Sequence, residues 1–295
     1  MTEGFFTHIC TIKQYKIIKM KKSIFLAALF LSVVINAQEF QGKAIYKTHR
    51  KVDFKMKEKK GGNSDIQKQL QAQLMKQFQK TYTLNFNKSV STYKQNEELS
   101  APQAQNGVSF KVIGSGGGTD ILYKNITEKR FVNKTEISGK RFLIKDKLNE
   151  LDWEMTSETK NIGNYTCYKA TREREETRTS FSMTDGEREE KKEKVIVKTV
   201  AWYTPQIPVS NGPGEFWGLP GLILEIQDGK QTIVCTEIVM NPSDKINIKE
   251  PSKGKKVTQE KFDKIMDKHS KEMMERFKSK RKSKDGNSFS IQIQG

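Results

Sequence analysis

Residues that hold metals and carry covalent catalysis are scarce in this chain, with three cysteines and three histidines among 295 residues. His49 and His269 lie far apart in sequence, and neither has metal-ligand spacing around it. There is no H-E-x-x-H, C-x-x-C or EF-hand loop, so no metal or other cofactor is expected. Long hydrophobic runs are missing beyond residue 37. Nothing there approaches the roughly 20 apolar residues that cross a bilayer, so the chain is not expected to span a membrane. Glycines cluster at 114–118, but no GKS/T follows and no helix is signalled, which excludes a phosphate loop and leaves a flexible linker. Carboxylates are plentiful, yet most sit inside charge runs. With no isolated acid pair for general acid–base work, no catalytic residues are assigned and a non-enzymatic protein is expected.

What the chain does have begins at its amino end. Met20-Lys21-Lys22 opens a basic segment, Ile24 to Ile35 is uncharged and mostly apolar, and Ile35-Asn36-Ala37 resembles a cleavage site. Residues 20–37 therefore read as a secretory signal peptide, and 1–19 as a dispensable upstream segment. The expected location is the periplasm, the cell envelope or the exterior. The formal charge is +18, and removing residues 1–37 takes five lysines and one glutamate, leaving +14. A basic exported protein is expected to meet an anionic envelope component sooner than nucleic acid, although lysine also serves solubility alone. Cys167 and Cys235 remain after cleavage, and in an oxidising compartment they could form a disulfide or stay as two small buried apolar groups.

Along 38–295, read as one β-rich domain, alternation marks short strands. Examples are Tyr82, Leu84 and Phe86, then the hairpins closed at Ser138-Gly139 and Ile162-Gly163-Asn164. Ser138-Gly139 sets Glu136 across from Arg141. Ile66, Leu70, Leu74 and Phe78 are spaced as one face of a first amphipathic helix. Thr258 caps a second helix at 259–280, with Phe262, Met266, His269 and Met273 along one side. The stretch 172–194 is dense in alternating charge and reads as a solvated hairpin arm, regular again from Val195.

Ala201 to Met240 holds four of the seven prolines and the densest apolar run of the mature chain. Leu219-Pro220-Gly221-Leu222 has the residues of a type II turn. Asp228-Gly229 suits a two-residue hairpin, which would set Leu224 opposite Ile233 and Leu222 opposite Cys235. Gly218-Leu219-Pro220-Gly221-Leu222-Ile223, preceded by Trp217, resembles the signature of the GLPGLI family, and Cys167-Tyr168-Lys169-Ala170 resembles that family's cysteine-bearing strand. The resemblance covers about 160–240. It implies a secreted or envelope protein of Gram-negative bacteria with no established activity and no catalytic residues to transfer.

These features predict an α+β fold: a curved, mostly antiparallel sheet or half-barrel with the two amphipathic helices on its concave face. The plan is similar to that of periplasmic lipoprotein carriers. Two functions follow. Either an apolar or acyl-bearing lipid or lipoprotein-like ligand sits between sheet and helices, near Phe216, Trp217, Leu219, Met266 and Met273, or the core is fully packed and the surface contacts an anionic envelope partner. An unrecognised hydrolase is the third alternative.

Overall fold

Alternation along each strand sorts side chains to the two faces of a sheet. In β1 (Gln41–Arg50) Gly42, Ala44, Tyr46 and Thr48 turn inward, while Lys43 and Lys47 are exposed. The computed structural model describes residues 40–50, 78–97, 120–184 and 187–281. The further strands are β2 (Lys80–Asn87), β3 (Val90–Gln95), β4 (Ile121–Asn125), β5 (Arg130–Ile137) and β6 (Lys140–Lys147). After them come β7 (Glu154–Ile162), β8 (Tyr165–Thr184), β9 (Glu187–Thr204), β10 (Leu222–Asp228), β11 (Gln231–Met240) and β12 (Lys255–Val257). The helix is α1 (Gln259–Arg281).

All twelve strands form one sheet, in the order β12-β6-β5-β4-β3-β2-β1-β11-β10-β9-β8-β7. Two meanders, β1–β6 and β7–β11, are therefore joined where β1 pairs with β11, from Gly42↔Met240 to Arg50↔Gln231. Local turn chemistry sets most of the rest. Ser138 and Gly139 both have positive φ (48° and 81°) and close β5–β6 as a type I′ loop, bringing Glu136 opposite Arg141. Gly163 (φ 56°) opens the β7–β8 loop. The Asn87 carboxamide accepts the Ser89 and Val90 amides at 2.9 and 2.8 Å and turns β2 into β3.

Several expectations need correction. The sheet is open, not a half-barrel, and it is mixed because β12 joins β6 in parallel. The cause lies in 241–254. This stretch crosses one face, where Ile248 packs on the Tyr123, Val132 and Leu143 cluster and Glu250 is held by Arg130 and Lys145 at 2.9 Å each. The chain thus reaches the edge running in the β6 direction. Among the described residues there is a single helix, not two. The helix expected from Ile66 to Phe78 lies outside the described residues except for its last position.

Nor does α1 cover a concave face. Its first amide, that of Gln259, donates to Asp146 at the end of β6 (3.0 Å). Phe262 meets Phe142 edge-on (5.6 Å between ring centres), and His269 lies 3.4 Å from Ser138 in the β5–β6 turn. The helix lies along the β6 end of the sheet.

The charged hairpin also differs from expectation. β8 and β9 pair as a continuous ladder from Tyr168↔Tyr203 to Thr184↔Glu187, while β10 stops at Asp228↔Thr199. Beyond that point the arm is a two-stranded ribbon, regular well before Val195. Its root is fixed by Asp228, which receives two guanidinium hydrogen bonds from Arg174 (2.5 and 3.0 Å) and one from the Thr199 hydroxyl (2.7 Å).

The β10–β11 turn falls at Gly229-Lys230, not Asp228-Gly229, so Ile226 pairs with Ile233 and Glu225 with Val234. Gly229 (φ 57°) occupies the first loop position, where a type II′ turn requires positive φ. The shift from the expected register is two residues. Because side chains alternate with period two, the paired residues 225–228 and 231–234 keep their predicted faces, while the bulge after Ile223 ends the alternation on its far side.

Candidate functional site

The motif segment folds back under β10. Pro220 sits at the centre of a tight three-residue turn, with the Gly221 amide donating to the Leu219 carbonyl at 2.8 Å. Proline's fixed φ suits this inverse γ-turn. The expected type II turn is not formed, since positive φ occurs at Gly218 (97°) and not at Gly221. Gly221 is needed for another reason. A Cβ there would lie 2.2 Å from the Thr204 carbonyl oxygen, so the loop and the end of β9 can touch only through a bare backbone.

Leu222 and Ile223 donate to the Ile207 and Asn211 carbonyls, both at 3.0 Å, which ties the loop to the start of β10. Leu219, Leu222 and Ile223 are essentially inaccessible, and Trp217 is buried too. The Trp217 indole donates to the Asn149 carbonyl (2.9 Å) and the Trp153 indole to the Trp217 carbonyl (2.8 Å). Phe216 packs against Trp153, with 6.5 Å between ring centres. The motif's polar and aromatic groups are thereby occupied internally.

Two buried polar groups complete this clasp. A bulge between Ile223 and Glu225 interrupts the β9–β10 ladder, and the Ile223 carbonyl accepts the Tyr46 hydroxyl at 2.7 Å. Burial, with lesser effects of Cys235 and Tyr93, pushes the Tyr46 phenol well above its usual range. Lys124, in β4, is fully buried. Its amine donates to the Gly212 (2.9 Å) and Phe216 (3.1 Å) carbonyls. Burial lowers its pKa to about 7, against a smaller opposing effect of Glu215. Ser91, opposite Lys124 in the β3–β4 ladder, and Asn211, next to Gly212, each keep a buried side-chain atom without a partner. Sequence reasoning passed over Lys124. The signal was a lysine two residues after Leu122 in a strand, on the face that carries Phe86 and Tyr93 in the neighbouring strands.

The expected pocket residues are not gathered around one opening. Phe216, Trp217 and Leu219 belong to the clasp, whereas Met266 and Met273 are half-buried on α1, which packs along β6. Cys167 and Cys235 are both buried free thiols rather than a disulfide. Burial raises their pKa values to about 11 and about 12. No group of three or more His, Cys, Asp or Glu residues among those described could hold a metal ion.

An open cavity of about 580 Å³ lies elsewhere, at one end of the central strands β2, β1 and β11. The ladder puts Thr81 and Val234 on either side of Lys47, and Thr232 beside His49. The Gln79 amide approaches the His49 ring at 3.5 Å. Lys80 also lines the cavity and lies near enough to Asp120 to lower that carboxyl, although burial prevails and leaves it raised.

No described helix is long and apolar enough to cross a membrane. No curated protein matches the chain. Two structures of PNGF-II are similar to it at 11% and 12% identity and a TM-score of 0.44, covering 76% and 77% of this chain but 32% and 33% of PNGF-II. The chain thus spans about a third of that protein, and a likeness at that score carries no argument about fold or activity. Residues 153–225, from Trp153 through most of the clasp, match a family described as "Protein of unknown function (Porph_ging)".

Proposed function

We propose that the mature chain is an exported, non-enzymatic protein of the cell envelope that engages an anionic partner through its exposed surface, with the motif segment as an internal clasp. The observation that carries this reading is where the motif spends its chemistry. Trp217, Leu219 and Lys124 all face inward, and the Trp217 indole and the Lys124 amine donate to backbone carbonyls of the same molecule. A catalytic or ligand-holding motif leaves polar groups converging on an open cleft. The Gly218–Ile223 signature supports membership of the GLPGLI proteins. The signal-like segment 20–37 supports export, and a mature charge of +14 supports an acidic partner.

The acyl-ligand alternative is less favoured, since α1 lies along β6 and is not the lid that reading placed over the sheet. Vesicle co-sedimentation tests the anionic reading. The protein is expected to pellet with anionic vesicles at low ionic strength, to be released as salt rises, and to ignore zwitterionic vesicles. Equal partitioning to both vesicle types, or to neither, would exclude it.

A further inference from the structure

We propose that the cavity beside β1 is a binding site for a phosphate monoester, an inference that rests on the anionic-partner reading and names the group recognised. Four observations carry it. The volume, about 580 Å³, falls in the range of sites that hold small molecules and exceeds what a bare phosphate fills, so the anion would carry a substituent. None of the described residues that line the cavity is a carboxylate. A neutral sugar usually needs acidic acceptors for its hydroxyls, whereas here the charged side chains are all donors.

Four of the donors also share one face, while Thr48 and Lys80, which pair with each other, lie on the opposite one. Lys47 stands between Thr81 and Val234, and His49 beside Thr232, so an ammonium, an imidazole and two hydroxyls project to the same side of three adjacent strands. The Gln79 amide nitrogen lies 3.5 Å from His49 Nδ1, and in the tautomer whose Nδ1 accepts from it, Nε2 carries the proton and can donate. Lastly, Lys47 has no acidic partner among the described residues. By contrast, Lys94, Lys129, Lys145, Lys160, Lys169 and Lys264 are each held by a carboxylate. An exposed, unpaired ammonium beside neutral donors fits a doubly charged oxyanion with three terminal oxygens.

Titration calorimetry with glycerol 3-phosphate tests the site on the purified protein. Saturable binding is expected, weakened at least tenfold in Lys47→Glu and largely retained in Lys47→Arg. Lys47 is exposed, so both variants should unfold at the wild-type temperature. Equal binding by wild type and Lys47→Glu, or no saturable binding by wild type, overturns the proposal. Vesicles then separate the sources of the phosphate. Preference for phosphatidic acid over phosphatidylserine at matched surface charge points to a lipid headgroup, and its absence together with calorimetric binding points to a soluble ester. If anionic vesicles still bind Lys47→Glu as they bind wild type, the site fails while the anionic-partner reading stands. If neither protein binds them, that reading fails as well.

Discussion

The Tyr46 hydroxyl donates to the Ile223 carbonyl across 2.7 Å, joining β1 to the second residue of β10, two strands away. The bulge after Ile223 takes this carbonyl out of the regular ladder, and the buried phenol satisfies it. Replacing Tyr46 by Phe keeps the ring and removes the donor. A loss of about 1–3 kcal/mol in urea-unfolding free energy is expected, the cost of a buried carbonyl left unpaired. An unchanged midpoint would mean that the bond contributes nothing.

Lys124 predicts a pH dependence of the opposite sign to that of a salt-bridged lysine. Its pKa falls from 10.5 unfolded to about 7 folded, because burial disfavours the charged form. The neutral amine still has two N–H groups for its two carbonyls. Stability linked to this group is therefore fully present above 10.5 and is lost as pH falls through about 7. Between pH 7 and 9, unfolding free energy should rise for wild type relative to Lys124→Met by up to about 1.4 kcal/mol per pH unit. Parallel curves for the two proteins would refute this.

Gly221→Ala drives a methyl into the Thr204 backbone, with contacts of 2.2 and 2.5 Å to its carbonyl oxygen and carbon. Neither atom can move without breaking the end of β9, so a loss of about 3 kcal/mol or more is expected. Gly163→Ala serves as the control. It adds a methyl to open space at φ 56° and should cost only about 1–2 kcal/mol of backbone strain. Thermal unfolding of the two variants checks the ordering.

Cys167 and Cys235, buried with thiols raised to about 11 and about 12, should resist alkylation at pH 8. The thiolate is the reacting species, and burial withholds both access and ionisation. Iodoacetamide followed by residue-resolved mass spectrometry should label both after unfolding and neither before. Rapid labelling of the native protein would contradict the burial.

The hairpins at Ser138-Gly139 and Gly163-Asn164 were legible because a two-residue loop fixes its own geometry and, with it, the pairing of the strands on either side. Thr258 was legible as a cap for the same local reason, and the Lys261 amide reaches its hydroxyl at 3.4 Å. The β10–β11 register was legible only in its parity. Alternation fixes faces, but it cannot distinguish Asp228-Gly229 from Gly229-Lys230 as the loop. The motif turn was misread because Pro-Gly suits two local geometries. The choice between them came from Thr204, whose carbonyl presses against Gly221.

The sequence by itself determined the strands, their buried faces and most of their hairpins, since periodicity and turn residues act over a few positions. Tertiary structure decided the rest. It paired β1 with β11 from opposite ends of the chain, added β12 in parallel, laid α1 along β6 and buried Lys124 beneath a loop 88 residues away. Those outcomes depend on which distant surfaces can exclude water together and which carbonyls are left to satisfy. No short window of sequence contains both partners.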